Sequence, residues 1–191
     1  METLTLPQIK HLSRYPLVWL VTIARILAAL YIFIDPLWGL IASLVFDILD
    51  GQILLYRVHI SMEEYEAFDK PLDWVTYICE LWVGARYGLF LPLFLLLFYR
   101  FMGQFMYMKT GKRFFFALFP NFFEFAFLWL IIVIPSGTTF DWHAPHPWEY
   151  LIILLLVKQG QDFFMHYWWD KSLKAGWNTL IGNRIPFLRS I

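Results

Sequence analysis

Six apolar segments dominate this sequence and restrict the folds that are open to it. Each is long enough to cross a lipid bilayer as a helix, which takes about 20 apolar residues. They lie at about 16–35, 38–57, 61–88, 89–108, 114–135 and 147–168, with breaks such as "DPLWG" and "MKTGKR" between them. Only 16% of the residues are charged and 60% are hydrophobic. The sequence therefore predicts an all-α, polytopic membrane protein with six transmembrane helices in one domain, residues 1–191.

Two polar stretches refine the ends of these segments. Residues 1–15, "METLTLPQIKHLSRY", are expected to lie on the membrane surface as a short amphipathic helix. The third segment opens with Ser61-Met62-Glu63-Glu64, the pattern of a capping box at a helix start. This helix is therefore predicted to begin outside the membrane and then enter it.

Basic residues are distributed unequally between the two sides of the predicted spans. The loops on one side hold a single basic residue, Arg86. The other side holds Lys10, Arg14, Arg57, Lys70, Lys109, Lys112, Arg113, Lys171, Lys174, Arg184 and Arg189. Positively charged segments stay on the cytoplasmic side, so both termini are predicted to face the cytoplasm. The formal net charge is zero, which argues against a nucleic-acid partner because such partners bind basic surfaces.

Polar side chains within the spans fall at a common depth when residues are counted inward from the cytoplasmic ends. At 1.5 Å per residue this depth is roughly 10–18 Å. The residues concerned are Arg25, Asp47, Asp50, Asp69, Asp73, Arg100, Gln104, Asn121, Glu124, Lys158, Gln159 and Asp162. An ionised aspartate deep in a span costs about 2.5–3.5 kcal/mol on insertion scales. We therefore expect a polar chamber that opens to the cytoplasm.

Two kinds of compensation could hold these charges in the membrane. The first is ion pairing, for example between Arg25 and Glu124 or between Lys158 and Asp162. The second is a divalent metal ion, which hard carboxylate ligands bind well. The sequence offers few obvious cations beside the four aspartates at 47, 50, 69 and 73, so a metal is the expected compensation there.

The spacing of these aspartates resembles the signature of the CDP-alcohol phosphatidyltransferases. The family pattern is D-x2-D-G-x2-A-R, followed after eight or nine residues by G-x3-D-x3-D. In this chain Asp47, Asp50, Gly51, Asp69 and Asp73 all fall at the family's spacing. The predicted topology, with the motif across the second and third spans, agrees with it as well.

Other positions of the family pattern differ in this chain. Leu54 and Leu55 replace its Ala-Arg, and Arg57 comes two positions late. Tyr65 replaces the second glycine. In the family these positions help to shape the nucleotide pocket, so the metal-binding half of the motif is intact and the nucleotide half is altered.

The resemblance implies a transferase of phospholipid biosynthesis. It would move a substituted phosphate from a CDP-linked lipid donor, such as CDP-diacylglycerol, to a small polar alcohol and release CMP. It also implies Mg²⁺ or Mn²⁺ as cofactor, with Asp73 as the catalytic base and with the metal ligands Asp47, Asp50, Asp69 and Asp73. Gly51 would let the nucleotide approach the helix closely. Membrane lipids are further partners, and family members usually form homodimers.

Several basic residues are candidates for holding the phosphate groups of the substrates. They are Arg57, Arg100, Lys112, Arg113 and Lys158, which the sequence places near the mouth of the chamber. The alternative interpretation of each is an ordinary cytoplasmic cation in contact with anionic lipid.

Two other functions remain open at the level of sequence. A catalytically degenerate homologue would bind metal and lipid or nucleotide without turnover, as the altered nucleotide half of the motif suggests. A small cation transporter would use the carboxylate chamber for conduction. Transport would require polar residues that continue to the outer face, whereas the outer halves of the spans are nearly all apolar.

Overall fold

The computed structural model describes residues 15–58, 62–112, 114–135 and 138–164. All regular secondary structure in these residues is helical, so the all-α prediction is confirmed for them. The helices are α1 Pro16–Tyr31, α2 Pro36–Tyr56, α3 Met62–Arg86, α4 Phe90–Thr110, α5 Phe114–Leu118, α6 Phe122–Val133 and α7 Trp148–Phe163. The predicted surface helix at 1–15 (except for residue 15), Ser61 of the capping box and Arg113 lie outside the described residues.

Three stretches of the described chain are long and apolar enough to cross a membrane. They are Pro36–Leu54, Phe90–Thr110 and Phe114–Val133, and α1 is a shorter apolar helix. Large apolar side chains lie on the surface, with Leu20 and Ile34 63% and 78% exposed, while Arg25 and Asp50 are buried. A water-soluble protein has the opposite distribution, so this surface suits a lipid environment.

A tight connection joins α1 to α2. Asp35 caps α2 by accepting hydrogen bonds at Oδ1 from the amides of Leu37 and Trp38 at 3.1 and 3.0 Å. Gly39, one turn into α2, lies against the backbone of Ile32, and a Cβ at this position would be 2.6 Å from the Ile32 Cα. The close approach of the two helices therefore depends on a residue without a side chain.

We expect Gly39→Ala to lower the free energy of unfolding by about 1–3 kcal/mol, the usual cost of overpacking, because the new methyl group meets rigid backbone. Thermal unfolding in detergent would measure this change. Gly160→Ala is the matched control, since Gly160 is also helical and a Cβ there meets nothing within 4 Å. Equal melting temperatures for the two variants would contradict the proposed packing role.

The described chain divides into two compact units. The first comprises residues up to 93 together with 130–145, and the second comprises 94–129 together with the residues from 146 onward. In the first unit, α1 packs against both α2 and α3, which also pack against each other. In the second unit, α5 packs against α7.

Arg25 projects into the packed interior of the first unit because it belongs to the buried face of α1. This face consists of Val18, Val21, Arg25, Ala28 and Ala29, whose spacing matches one side of a helix. Val18 also forms an apolar cluster with Leu54 of α2 and with Val58. These contacts hold α1 in place and direct a buried guanidinium toward α2 and α3.

The predicted span at 114–135 differs from the structure, because the helix is interrupted between Leu118 and Phe122. Pro120 explains the break, since proline has no amide hydrogen and disfavours helical backbone in the residue before it. Asn121 restarts the helix, and its amide donates to Asp162 Oδ2 at 3.1 Å.

Side chains from other helices satisfy three successive carbonyl groups at this break. Gln159 Nε2 donates to the carbonyl of Ala117 at 2.8 Å. Tyr99 Oη donates to that of Leu118 at 2.7 Å, and Arg100 Nη1 donates to that of Phe119 at 3.0 Å. The break is therefore a stabilised element of the second unit, because its freed carbonyls have protein partners.

Candidate metal centre

Four aspartates from two helices converge on one side chain in the first unit. In α2 two of them lie three residues apart, and in α3 two lie four apart, so each pair occupies one helix face. We call Asp47, Asp50, Asp69 and Asp73 the four-aspartate cluster; all four pair with Arg25 of α1.

The Arg25 guanidinium lies between the carboxylates and joins the two helices twice. Its Nη1 contacts Asp50 Oδ2 of α2 and, at 2.6 Å, Asp69 Oδ1 of α3. Its Nη2 contacts Asp47 Oδ1 of α2 and Asp73 Oδ1 of α3, both at 2.7 Å. Each terminal nitrogen therefore links one carboxylate of α2 to one of α3.

Two residues of α3 engage the remaining oxygens of three carboxylates. Lys70 Nζ lies 2.6 Å from Asp69 Oδ2 and 2.9 Å from Asp73 Oδ2. Tyr65 Oη donates to Asp50 Oδ1 at 2.8 Å. The Asp47 side chain is 45% exposed, whereas those of Asp69 and Asp50 are 7% and 0% exposed. The cluster is thus most accessible at Asp47.

The sequence-based expectation that the aspartates lack cationic neighbours was incomplete. Arg25 touches all four carboxylates, and Lys70 touches two. With every group ionised, four negative and two positive charges leave a formal charge of −2 on the cluster. The two cations therefore compensate half of the formal negative charge.

The donor set of the cluster fits a hard metal ion. Asp47, Asp69 and Asp73 each offer a carboxylate oxygen, and these oxygens lie within 4.8 Å of one another, so the three residues could hold a metal ion. Carboxylate oxygens are the ligands that Mg²⁺ and Mn²⁺ prefer. Arg25 contacts the same three carboxylates, so its guanidinium and a metal ion would occupy the same region.

Tyr65 covers Gly51, the glycine beside which the family resemblance places the nucleotide. A Cβ on Gly51 would lie 3.1 Å from Tyr65 Oη and 3.4 Å from Tyr65 Cζ. Tyr65 also stands where the family has its second glycine. Its side chain therefore fills the space beside Gly51 and fixes Asp50 through a hydrogen bond.

Two of the basic residues predicted to bind substrate are exposed in the described structure. Arg57 caps the C-terminus of α2, and its amide donates to the carbonyl of Ile53 at 2.9 Å. Lys112 follows α4 in the second unit, where its amide donates to Thr110 Oγ1 at 3.3 Å. Substrate binding by these two residues, by Gly51 and by Arg113 stays a prediction.

The other two basic residues make contacts within the second unit. Besides its bond at the helix break, Arg100 lies over the ring of Phe116 at 4.8 Å. Lys158 Nζ lies 3.0 Å from Asp162 Oδ1, so the ion pair that the sequence offered as one alternative is present. In the described structure Arg25, the proposed partner of Glu124 in the other alternative, pairs with the four aspartates. Substrate binding by Arg100 and Lys158 also stays a prediction.

Sequence reasoning missed the contributions of Arg25, Lys70 and Tyr65 to this site. Weak signals for each were present in the chain. Arg25 was counted at the same depth as the aspartates, while Tyr65 precedes Asp69 by one helical turn and Lys70 precedes Asp73 by three residues. These spacings place the two α3 residues near the acidic face of the helix.

No protein-family model, curated protein or solved structure matches this chain.

Proposed function

We propose that this chain is a membrane-embedded transferase that moves a substituted phosphate from a CDP-linked lipid to a small polar alcohol and releases CMP. The observation that carries the proposal is the convergence of the four-aspartate cluster from α2 and α3. Its spacing is that of the CDP-alcohol phosphatidyltransferase motif. Convergence is what the chemistry requires, because carboxylates that lay apart could not hold one cation.

The cluster would hold Mg²⁺ or Mn²⁺ through Asp47, Asp69 and Asp73, together with Asp50. When bound, such an ion would neutralise charge that develops on the phosphoryl oxygens and on the CMP leaving group. The excess of four carboxylates over the contacting cations supports the choice of a divalent cation. Tyr65 and Lys70 would keep the carboxylates oriented through their outer oxygens.

Asp73 is the proposed general base. It lies one helical turn from Asp69, at the edge of the cluster, and its side chain is 14% exposed. It would take the proton of the acceptor hydroxyl as that oxygen forms a bond to the substituted phosphate and the phosphate's bond to CMP breaks. Asp73 Oδ1 contacts Arg25 at 2.7 Å and Oδ2 contacts Lys70 Nζ at 2.9 Å.

The proposal includes the six-span topology, with both termini and the active site on the cytoplasmic side. The asymmetry of the basic residues and the common depth of the polar groups support this orientation. The apolar exposed surface would receive the tails of the donor lipid and the surrounding membrane lipids. A homodimer, usual in the family, belongs to the proposal as well.

The direct test is a CMP-release assay on the purified protein with CDP-diacylglycerol and a panel of alcohols. The panel would include glycerol phosphate and an inositol phosphate, because candidate phosphate-binding cations occur in the chain. We expect release that requires both an acceptor and Mg²⁺ or Mn²⁺. Absence of metal-dependent release with every acceptor and donor tested would refute the transferase proposal.

A second candidate is a homologue that binds metal and lipid or nucleotide without turnover. The specific observations in its favour are the Tyr65 side chain over Gly51 and the contact of Arg25 with one oxygen of each of the four carboxylates. It predicts retention of CDP-diacylglycerol by the protein without CMP formation. Cation flux into vesicles that Asp47→Asn abolishes would instead favour the transporter.

We expect Tyr65→Gly to lower the dissociation constant for CDP about tenfold, or about 1.4 kcal/mol, because it uncovers Gly51 and restores the family glycine. Binding of radiolabelled CDP to the purified protein would measure the change. Tyr65→Phe is the control: it removes the hydroxyl group but keeps the ring over Gly51, so its affinity should match that of the unmodified protein. Equal affinity in all three proteins would contradict the covering role of the ring.

A further inference from the structure

We propose that Arg25 occupies the cation position of the four-aspartate cluster, so that its guanidinium and a divalent metal ion compete for the same carboxylate oxygens. This inference rests on the proposed metal site and adds a residue from outside the motif. Arg25 belongs to α1, whereas the motif lies on α2 and α3. It would act as a positioning residue, which holds the carboxylates together until the metal displaces it.

The contacts of Arg25 carry the inference. Its two terminal nitrogens contact one oxygen of every carboxylate in the cluster, and they lie 2.6–2.7 Å from those of Asp47, Asp69 and Asp73. These are the same three residues whose oxygens lie close enough to share a metal ion. Mg²⁺ binds oxygen ligands at about 2.0–2.1 Å. A metal bound to the oxygens that Arg25 contacts would therefore overlap the space of the guanidinium nitrogens.

Burial explains why the cluster needs an internal cation in the absence of metal. Arg25 is 5% exposed and Asp50 is 0% exposed, so water can screen their charges only weakly. Carboxylates brought together there repel each other strongly unless a cation lies between them. Arg25 supplies this cation from a helix that is already packed against both acidic helices.

Lys70 occupies a different position in the same cluster. It contacts the outer oxygens of Asp69 and Asp73, on α3 alone, and does not bridge to α2 through any described contact. Direct competition therefore predicts a larger effect for Arg25 than for Lys70. If only the net charge of the cluster mattered, removal of either side chain would change the metal affinity equally, since each carries one positive charge.

The test is a Mn²⁺ titration of the purified, metal-free protein, in which electron paramagnetic resonance measures free Mn²⁺. We expect Arg25→Met to lower the Mn²⁺ dissociation constant by about 10- to 100-fold, because a cation at contact distance is removed. Lys70→Met should have a smaller effect. Arg86→Met, the matched control on exposed Arg86 at the far end of α3, should bind Mn²⁺ like the unmodified protein.

Arg25→Lys provides a second variant in case the loss of charge prevents folding. It keeps the charge but has a single Nζ in place of the two terminal nitrogens of the guanidinium, so it cannot link the two helices twice. Mn²⁺ should bind this variant with an affinity between those of the unmodified protein and Arg25→Met. A thermal melt with and without Mn²⁺ provides the second readout, and the metal should raise the melting temperature most in Arg25→Met.

The outcomes separate this inference from the proposed function. Unchanged affinity in both Arg25 variants, with binding still lost in Asp69→Asn, would overturn the competition and leave the metal site standing. Binding by Arg25→Met but not by the unmodified protein would support the competition and remove metal-dependent turnover from the unmodified chain. Failure of the unmodified protein and of both folded Arg25 variants to bind Mn²⁺ would overturn both.

Discussion

Replacing Asp73 with asparagine is expected to reduce CMP release by about 100- to 10,000-fold, the usual contribution of a general base. The amide cannot accept the proton of the acceptor hydroxyl, although it has nearly the same size and can still accept a hydrogen bond from Arg25. Initial rates at saturating donor and metal would measure the loss. A selective fall in kcat, with little change in the KM for the acceptor alcohol, would agree with a role in the chemical step.

Asp35→Asn is the matched control for this variant. It makes the same chemical change at the cap of α2, where asparagine caps a helix about as well as aspartate. It should therefore keep both the fold and the rate. Full CMP release by Asp73→Asn would remove Asp73 from its proposed role, and a melting temperature close to that of the unmodified protein would show that any loss of rate is not caused by unfolding.

Replacing Arg25 with methionine is expected to lower the free energy of unfolding in metal-free buffer by about 3–5 kcal/mol, the usual cost of removing one partner of a buried ion pair. Among the described residues, the substitution leaves four carboxylates close together with Lys70, which contacts two of them, as the remaining cationic partner. Chemical or thermal unfolding in detergent with a chelator present would measure the loss. Methionine keeps much of the apolar volume, so packing contributes little to the expected change.

The corresponding control is again Arg86→Met, because Arg86 is exposed at the end of α3 and lies over the ring of Phe33 at 5.9 Å. Removing this charge should change stability by no more than about 0.5 kcal/mol, as for most surface substitutions. Equal losses in the two variants would mean that the cluster does not depend on Arg25 for its assembly in the absence of metal.

Helix positions in the described chain could be predicted well from hydropathy and breakers. Predicted spans at 38–57 and 89–108 correspond to Pro36–Tyr56 and Phe90–Thr110. The interruption at Pro120 could not be predicted in this way. The residues on both sides of it are apolar, so the hydropathy does not change there. Proline is also tolerated within membrane helices when neighbours supply hydrogen bonds, and the neighbours in this case come from distant segments.

The candidate site could be predicted only in part for a similar reason. Helical spacing places Asp47 with Asp50 and Asp69 with Asp73, since those relations are local. The partner of a buried charge on another helix depends on how the helices pack, which the order of residues does not specify. For this reason Arg25 could be placed at the right depth and still be assigned to Glu124 as one alternative.

The interruption between α5 and α6 has a consequence for how the polypeptide is made. The carbonyl of Ala117 is satisfied by Gln159, and the amide of Asn121 by Asp162, both of which are synthesised about 40 residues later. An unsatisfied backbone group in hydrocarbon costs several kcal/mol. We therefore expect insertion of this segment to be completed only after α7 emerges and supplies both partners.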